Sequence, residues 1–420
     1  MRPTRPFAAC AIVALTVACS DAPSSPKEAS PKEITTLPRT LTVGEQRVVS
    51  AANAFAPTLL GAINRTQRGD NVFVSPLSAS MALGMTMNGA AGTTFDEMRI
   101  TLGFGTMERA DIIRSYRDLI ALLRGLDSRV DFRIANSIWY RDTFSAAIEP
   151  TFLSEAKQYF DAGGAALNFG SPSALTTING WVKQSTNGKI EKIIDSISSE
   201  IVMLLINAIY FKGDWRDAFD PTLTKSAPFT TLDGAKISVP MMARIGSARL
   251  GRLDGRVVVE LGYGGDAFVM DVVLPRDGEN VNTLVESLTP PAWTTAMATL
   301  VTADVDLTMP KFRLEWEKTL NNELSAMGMP TAFLERRADF TRLSSSMGRE
   351  LYISYVKQKT FVDVNEVGTE AAAVTVVGVG ITSVPVRTVV RVDRPFLFVI
   401  RERLSGTILF MGKIVRPTSG

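Results

Sequence analysis

Between Gly368 and Val386 the chain carries a single charged residue, Glu370, although Gly368, Gly378, Gly380 and Pro385 in the same stretch are loop residues. Uncharged, β-branched runs such as Val374–Val377 favour strands, whereas glycine and proline interrupt strands and mark turns. The segment reads both as an exposed loop and as a core strand. Any fold assigned to the chain has to accommodate both readings.

The rest of the body is more conventional. "VGEQRVVSAANAFAPTLLGAINR" spaces Val48, Val49, Ala52, Phe55, Leu59 and Leu60 as a helix does, and residues 109–125 repeat that period through Ile112, Ile113, Tyr116, Leu119, Ile120 and Leu123. Arg114, Arg117 and Arg124 on the second helix could form a stripe for a polyanion, but Asp111 and Asp118 interleave, which favours a solvated face. Later segments are strands. Residues 257–275 read as a hairpin around the turn "GYGG", and residues 387–415 hold three strand candidates with "LSG" as a tight turn. Helices first and strands later, without strict βαβ alternation, argue for an α+β fold. "NRT" at Asn64 is a formal glycosylation sequon, expected to be a surface accident.

Composition excludes much. The 420 residues contain no histidine, so Ser-His-Asp and Cys-His sites and imidazole metal ligands are ruled out. The two cysteines are Cys10 and Cys19, which leaves the body without disulfide, thiolate metal site or catalytic thiol. Asp131 and Glu260 have no context that would make either a catalytic acid. Lys plus Arg is 45 against 43 Asp plus Glu, which gives no footprint for nucleic acid. Neither an enzyme nor a cofactor protein is indicated. Length alone suggests two or three domains.

The amino terminus reads as an address. Arg2 and Arg5 precede an apolar run, Phe7–Ala18, that is too short to span a bilayer and fits a secretory signal core. Its end, "LTVAC", resembles the bacterial lipobox, in which the cysteine is lipidated, although Thr16 stands where leucine is usual and Leu15 lies one place off. The expectation is a signal peptide over 1–18, a lipidated Cys19 and a Ser/Pro/Lys tether over 19–45. The product would be exported, either membrane-anchored or extracellular or periplasmic.

Seven stretches in order resemble the serpins. They are "NVFVSPLSASMALGMTMNGAAGTTFDEM", "INGWVKQSTNGKIEKII", "LLINAIYFKGDW", "LTMPKFRLEW", "DFTRLS", "FVDVNEVGTEAAAVT" and "DRPFLFVIRERLSGTILFMGKIVRP". The resemblance implies one domain over 46–420 with three β-sheets, eight or nine helices and an exposed reactive loop at about 366–387. It also answers the double character of the loop. In inhibitory serpins a protease cleaves the loop and is acylated by it, and the loop then enters the main sheet as a strand, carrying the enzyme with it. Alternate residues would face the core: Thr369, Ala371, Ala373, Thr375 and Val377, all small or β-branched. The hinge is Glu366, Gly368, Thr369, Glu370, Ala371, Ala372 and Ala373, with Gly368 as turning point. Val367 departs from the charged residue usual at its position.

Counting seventeen residues with Glu366 as the first reaches Thr382, so the expected bait bond is Thr382–Ser383, with Gly380, Ile381 and Val384 as alternates. These small or aliphatic residues suit elastase-like or subtilisin-like proteases. Papain-like cysteine proteases form an alternative, as does a non-inhibitory serpin-fold surface protein. The resemblance also places a sheet-opening cluster at Ser75, Ser78, Asn207 and Gln358, with Gln358 where the family usually has histidine, and Trp215 at the top of the sheet. Glutamine can hold such a network but does not titrate near neutrality. The expected partner is the target protease, with a lipid anchor, and the chain is expected to be a monomer.

Overall fold

A computed structural model describes residues 32–369 and 387–418. In chain order the first half comprises α1 (Val43–Thr66), β1 (Val72–Val74), α2 (Pro76–Asn88), α3 (Gly92–Thr101), α4 (Arg109–Arg124), β2 (Val130–Arg141), α5 (Pro150–Phe160), β3 (Ala166–Leu167), α6 (Pro172–Ser185) and β4 (Met203–Asp214). The second half comprises β5 (Lys225–Thr230), β6 (Lys236–Leu253), β7 (Arg256–Tyr263), β8 (Phe268–Leu274), α7 (Val281–Ser287), α8 (Pro290–Ala298), β9 (Val301–Pro310), β10 (Phe312–Thr319), α9 (Asn321–Met327), β11 (Lys357–Val364), β12 (Gly368–Thr369), β13 (Thr388–Arg391), β14 (Phe396–Glu402) and β15 (Ile408–Ile414). Nine α-helices are present among the described residues, and the α+β class holds.

Two hydrogen-bonded sheets organise the body. One runs β10-β11-β12-β4-β2-β3. The other runs β1-β15-β14-β8-β7-β6-β9-β13, with β5 on β6. The three sheets expected from the resemblance are contained in these two, because β6 is long enough to serve two neighbourhoods. Its first residues pair with β5, its last with β7, and β9 spans the join. The hairpin read at 257–275 is β7–β8, and the three strands read at 387–415 are β13, β14 and β15.

The main core lies between the sheets and helices α1, α2 and α4. β14 and β15 are buried along their full length, as strands covered on both faces must be. A second apolar cluster packs α6 against β4 and β2 through Ile178, Val182, Leu204, Ile206 and Trp139. β4 therefore alternates. Ile209 and Phe211 face the main core, while Leu204 and Ile206 face the α6 side.

Two expectations are corrected here. The tether boundary at 45 is too late, because folded structure begins by Lys32. Ile34 donates its amide to the Gly265 carbonyl at 2.7 Å, and Thr42 and Glu45 form a capping box that starts α1. Glu45 is fully buried and pairs with Arg39 at 2.5 Å. The second correction concerns Asn64, which is not on the surface. Its Oδ1 accepts from Lys413 Nζ at 2.7 Å, and that ammonium also donates to the Gln67 and Arg68 carbonyls and to Asn282 Oδ1. The buried lysine thereby closes the carboxyl end of α1, where free carbonyls need donors.

Candidate functional site

The described hinge residues sit at one end of the gap between β4 and β11. Gly368 and Thr369 form β12, antiparallel to both neighbours: Thr369 lies opposite Gly213 of β4 and opposite Val364 of β11. Among the described residues β4 and β11 share no ladder pair with each other. Thr369 is 2% exposed and its Oγ1 meets the Tyr263 hydroxyl at 2.7 Å. Burial pushes the Tyr263 hydroxyl well above its ordinary pKa, so it stays neutral beside the hinge. Gly368 has a reason other than the turning point expected for it. A Cβ there would lie 2.2 Å from the Gly213 carbonyl oxygen, so the close approach of two backbones requires glycine. The turn itself is made by Asn365, whose side-chain oxygen accepts from the Val367 amide at 3.0 Å and whose amide donates to the Gly368 carbonyl at 3.0 Å.

Trp215 closes this end. Its indole donates to the Asn365 carbonyl at 2.8 Å and its amide to the Val367 carbonyl at 2.7 Å, and its ring stacks on Tyr263 at 4.4 Å and 12°. Val367 contributes backbone here, which any residue could supply. Glu366 pairs with Lys311 at 2.9 Å and accepts from Thr224 at 2.8 Å. Burial pushes its carboxyl up, but the Lys311 and Thr224 bonds outweigh that effect, so its pKa lies below the ordinary value.

The sheet-opening residues form one hydrogen-bonded chain beneath β4 and β11. Ser75, the N-cap of α2, donates from Oγ to the Leu409 carbonyl of β15 at 2.7 Å and accepts the Ser78 amide at 3.2 Å. Gln358 grips the same backbone twice: its Oε1 accepts the Ser75 amide at 3.1 Å and its Nε2 donates to the Ser75 carbonyl at 2.8 Å. Ser78 donates to Asn207 Oδ1, and Asn207 Nδ2 donates to Asn136 Oδ1 at 2.7 Å. Asn136 then donates to the Phe160 carbonyl at the end of α5 at 2.6 Å. The chain thus links β15, α2, β11, β4, β2 and α5. Beside it lies a cavity of about 280 Å³, lined by Met203, Leu205, Asn207, Tyr355, Val356 and Gln358 among others.

Sequence reasoning missed Asn136, Tyr263 and Lys311. Asn136 had a signal, because "NSIWY" in β2 and "NAIYF" in β4 share a pattern and set Asn136 directly opposite Asn207. Tyr263 was absorbed into the turn reading of "GYGG". Its ring also explains Gly213, where a Cβ would come within 2.9 Å of it. The arginines of α4 are salt-paired on an exposed face, in line with the interleaved acids. Arg114 pairs with Asp111, Arg117 with Asp118, and Arg124 with Asp161. Cys19, Glu370, Ala371, Ala372, Ala373, Gly380, Ile381, Thr382, Ser383 and Val384 lie outside the described residues.

Gln358 offers both a donor and an acceptor to Ser75, a double contact that a neutral imidazole, with one donor and one acceptor on opposite ring edges, cannot copy on a single backbone unit. Because no group of this chain of bonds titrates near neutrality, the rate of any opening of the sheet between β4 and β11 is expected to change less than about threefold between pH 5.5 and 8. Gln358→His is expected to add a step near pH 6.5. Stopped-flow fluorescence of a chain that retains Trp215 as its one tryptophan reads both. A steep profile in the unsubstituted chain would remove the argument.

The family described as "Serpin (serine protease inhibitor)" matches residues 50–417, and the chain belongs to it. The chain is 33% identical over 368 residues to neuroserpin of Gallus gallus, covering 84% of this chain and 88% of that one. It is 32% identical over 385 residues to the leukocyte elastase inhibitor of Homo sapiens, covering 89% and 100%. Among solved structures it is similar to the thermophilic serpin tengpin in the native state, with a TM-score of 0.80, 29% identity, and coverage of 92% of this chain and 97% of that one.

Proposed function

We propose that the protein is an inhibitory serpin: a suicide substrate that traps an endopeptidase as an acyl-enzyme by inserting its reactive loop between β4 and β11. The observation that carries this reading is Thr369. It is already seated in a short strand between β4 and β11, it is small and uncharged, and its hydroxyl has a partner. Continuing its register, position 375 falls opposite Asn207 and Gln358, and position 379 falls opposite Met203, the first residue of β4. Threonine at 375 would meet the polar clasp, and valines at 377 and 379 would fill the cavity beside it. The start of β4 opposite position 379 favours a bait bond shortly after it. This supports the window 380–384 and the bond Thr382–Ser383.

The residues of that window are small or aliphatic, which favours an elastase-like or subtilisin-like target, and the similarity to a leukocyte elastase inhibitor points the same way. Arg387, the single basic residue in the loop, pairs with Asp304 at 3.0 Å next to β13, which weighs against a trypsin-like target. The proposal includes a signal peptide over 1–18 and a lipid on Cys19, to be checked by the mass of the mature amino terminus.

The test mixes the chain from Lys32 onward with pancreatic elastase, subtilisin, chymotrypsin, trypsin and papain. The expected result is a denaturant-resistant complex with elastase or subtilisin and a released peptide beginning at Ser383. Cleavage with no complex across the panel, and no rise in melting temperature of the cleaved chain, would replace the inhibitor by a non-inhibitory serpin.

A further inference from the structure

The cavity beside the polar clasp has a chemistry of its own. It lies between the first residues of β4 and residues 351–358, and its volume is about 280 Å³. Leu83, Ile194, Ile201, Leu205, Leu343 and Val356 wall it, and the exposed side chains of Met347 and Tyr352 stand at its rim. Apolar cavities stay dry, and one of about 150 Å³ accepts benzene. In proportion, this cavity holds roughly eleven non-hydrogen atoms.

The clasp residues that line it are already bonded. Ser78 donates to Asn207, Asn207 donates to Asn136, and Gln358 holds Ser75 through both of its polar atoms. Tyr355 differs from them. Its hydroxyl is buried and has no hydrogen-bond partner among the described residues, and it is the single lining side chain in that state. Burial raises its pKa above the ordinary value, so it stays a donor at neutral pH. A buried O–H with nothing to bond is unfavourable, and an incoming acceptor would relieve it. The surroundings also select against charge. Lys357, the one cation of the lining, is held by Glu317 at 2.6 Å and lies 3.8 Å from Asp195, and the other charged lining residues, Glu200 and Glu350, are acidic. A carboxylate would enter without a counter-ion.

We propose that this cavity binds a neutral, apolar small molecule of about eleven non-hydrogen atoms that carries one hydrogen-bond acceptor, with Tyr355 as the residue that orients it. Ketones, esters and ethers on a medium-length alkyl chain have this chemistry. Occupancy stabilises the chain in which no strand lies between the start of β4 and residues 351–358. The proposal rests on the inhibitory reading in one respect: a loop strand entering there would displace the molecule.

The experiment is equilibrium dialysis of the uncleaved chain against methyl octyl ketone, decane and decanoate. The expected result is one saturable site for the ketone, binding of decane about tenfold weaker, and decanoate weaker still. Tyr355→Phe keeps the ring and drops the hydroxyl. It is expected to bring the ketone down to the level of decane and to leave decane unchanged. Leu205→Trp fills the cavity and is expected to abolish binding of both, with its melting temperature as the check on folding; Tyr355→Phe carries the test if that variant does not fold. Equal binding of ketone and decane, an unaltered ketone affinity in Tyr355→Phe, or no saturable binding of the ketone would overturn the site. The same dialysis is run on chain nicked in its loop by elastase or subtilisin, where loss of ketone binding is expected. A nicked chain that still binds the ketone, and does so less well with Tyr355→Phe, would keep the site and refute strand entry between β4 and β11.

Discussion

Thr369→Arg is expected to leave the chain folded and cleavable but unable to trap a protease. Thr369 is 2% exposed between β4 and β11, with its hydroxyl on Tyr263, and there is no acidic group in that contact. Before cleavage the arginine can leave the sheet at the loss of the two-residue β12, whereas entry of the whole loop has to bury an unpaired guanidinium, which costs several kcal/mol. An added barrier of about 3–4 kcal/mol slows strand entry by a factor of roughly 100 to 1,000. The acyl bond then hydrolyses before the enzyme is displaced. The readout is complete cleavage with little or no covalent complex, and no gain in melting temperature on cleavage. Thr369→Val, which loses one hydrogen bond and keeps the shape, should retain most of the complex. Wild-type yields from the arginine variant would mean that entry does not begin at Thr369.

The second large effect concerns stability. Arg401 of β14 is 3% exposed and meets Glu260 of β7 and Asp271 of β8, the latter at 2.7 Å; Glu260 and Asp271 are themselves opposite each other in the β7–β8 ladder. Arg249 adds a second cation on Glu260 at 2.7 Å. Removing Arg401 strands the buried Asp271 carboxylate beside Glu260, which keeps Arg249 alone. Arg401→Leu is therefore expected to lower stability by about 3–5 kcal/mol at pH 7.5. The pH dependence follows from Asp271. Burial raises its carboxyl most, the Arg401 charge pulls it down and Glu260 pushes it up, and the balance leaves it at about 6. Since the folded value exceeds the unfolded value of about 4, the ionised form costs stability above pH 6, and that cost is relieved as pH falls from about 6 toward 4. Without Arg401 the pull is gone and the relief is larger. The deficit measured by thermal unfolding should therefore shrink between pH 7.5 and pH 5.5. A deficit that is constant or grows on acidification would mean that the variant fails through lost packing rather than stranded charge.

Parts of the fold were legible because they rest on local pattern. The apolar period of α1 and α4, the β7–β8 hairpin and the three carboxyl-terminal strands each follow from spacing within a few turns of chain. The Thr42–Glu45 capping box was equally local, but the tether reading of the Ser/Pro/Lys segment covered it. Asn64 was misjudged because a sequon is a three-residue signal, whereas its environment is set by Lys413, 349 positions away.

The site divides in the same way. The sequence by itself determined that the inward-facing hinge positions are small and uncharged and follow a glycine, that no histidine or body cysteine performs chemistry, and that glutamine stands in the sheet-opening cluster. These are properties of residue identity and order. Tertiary structure alone decided that Gly368 is glycine because a carbonyl oxygen of Gly213 stands 2.2 Å from where a Cβ would be, and that Tyr263, written into a turn, holds Thr369. It also decided that Asn136 completes the polar chain, and that Val389 and Ile245, 144 residues apart, share one exposed face. Each of these depends on which strands become neighbours and in what register. Register is fixed by burial across the whole sheet, which no window of the chain contains.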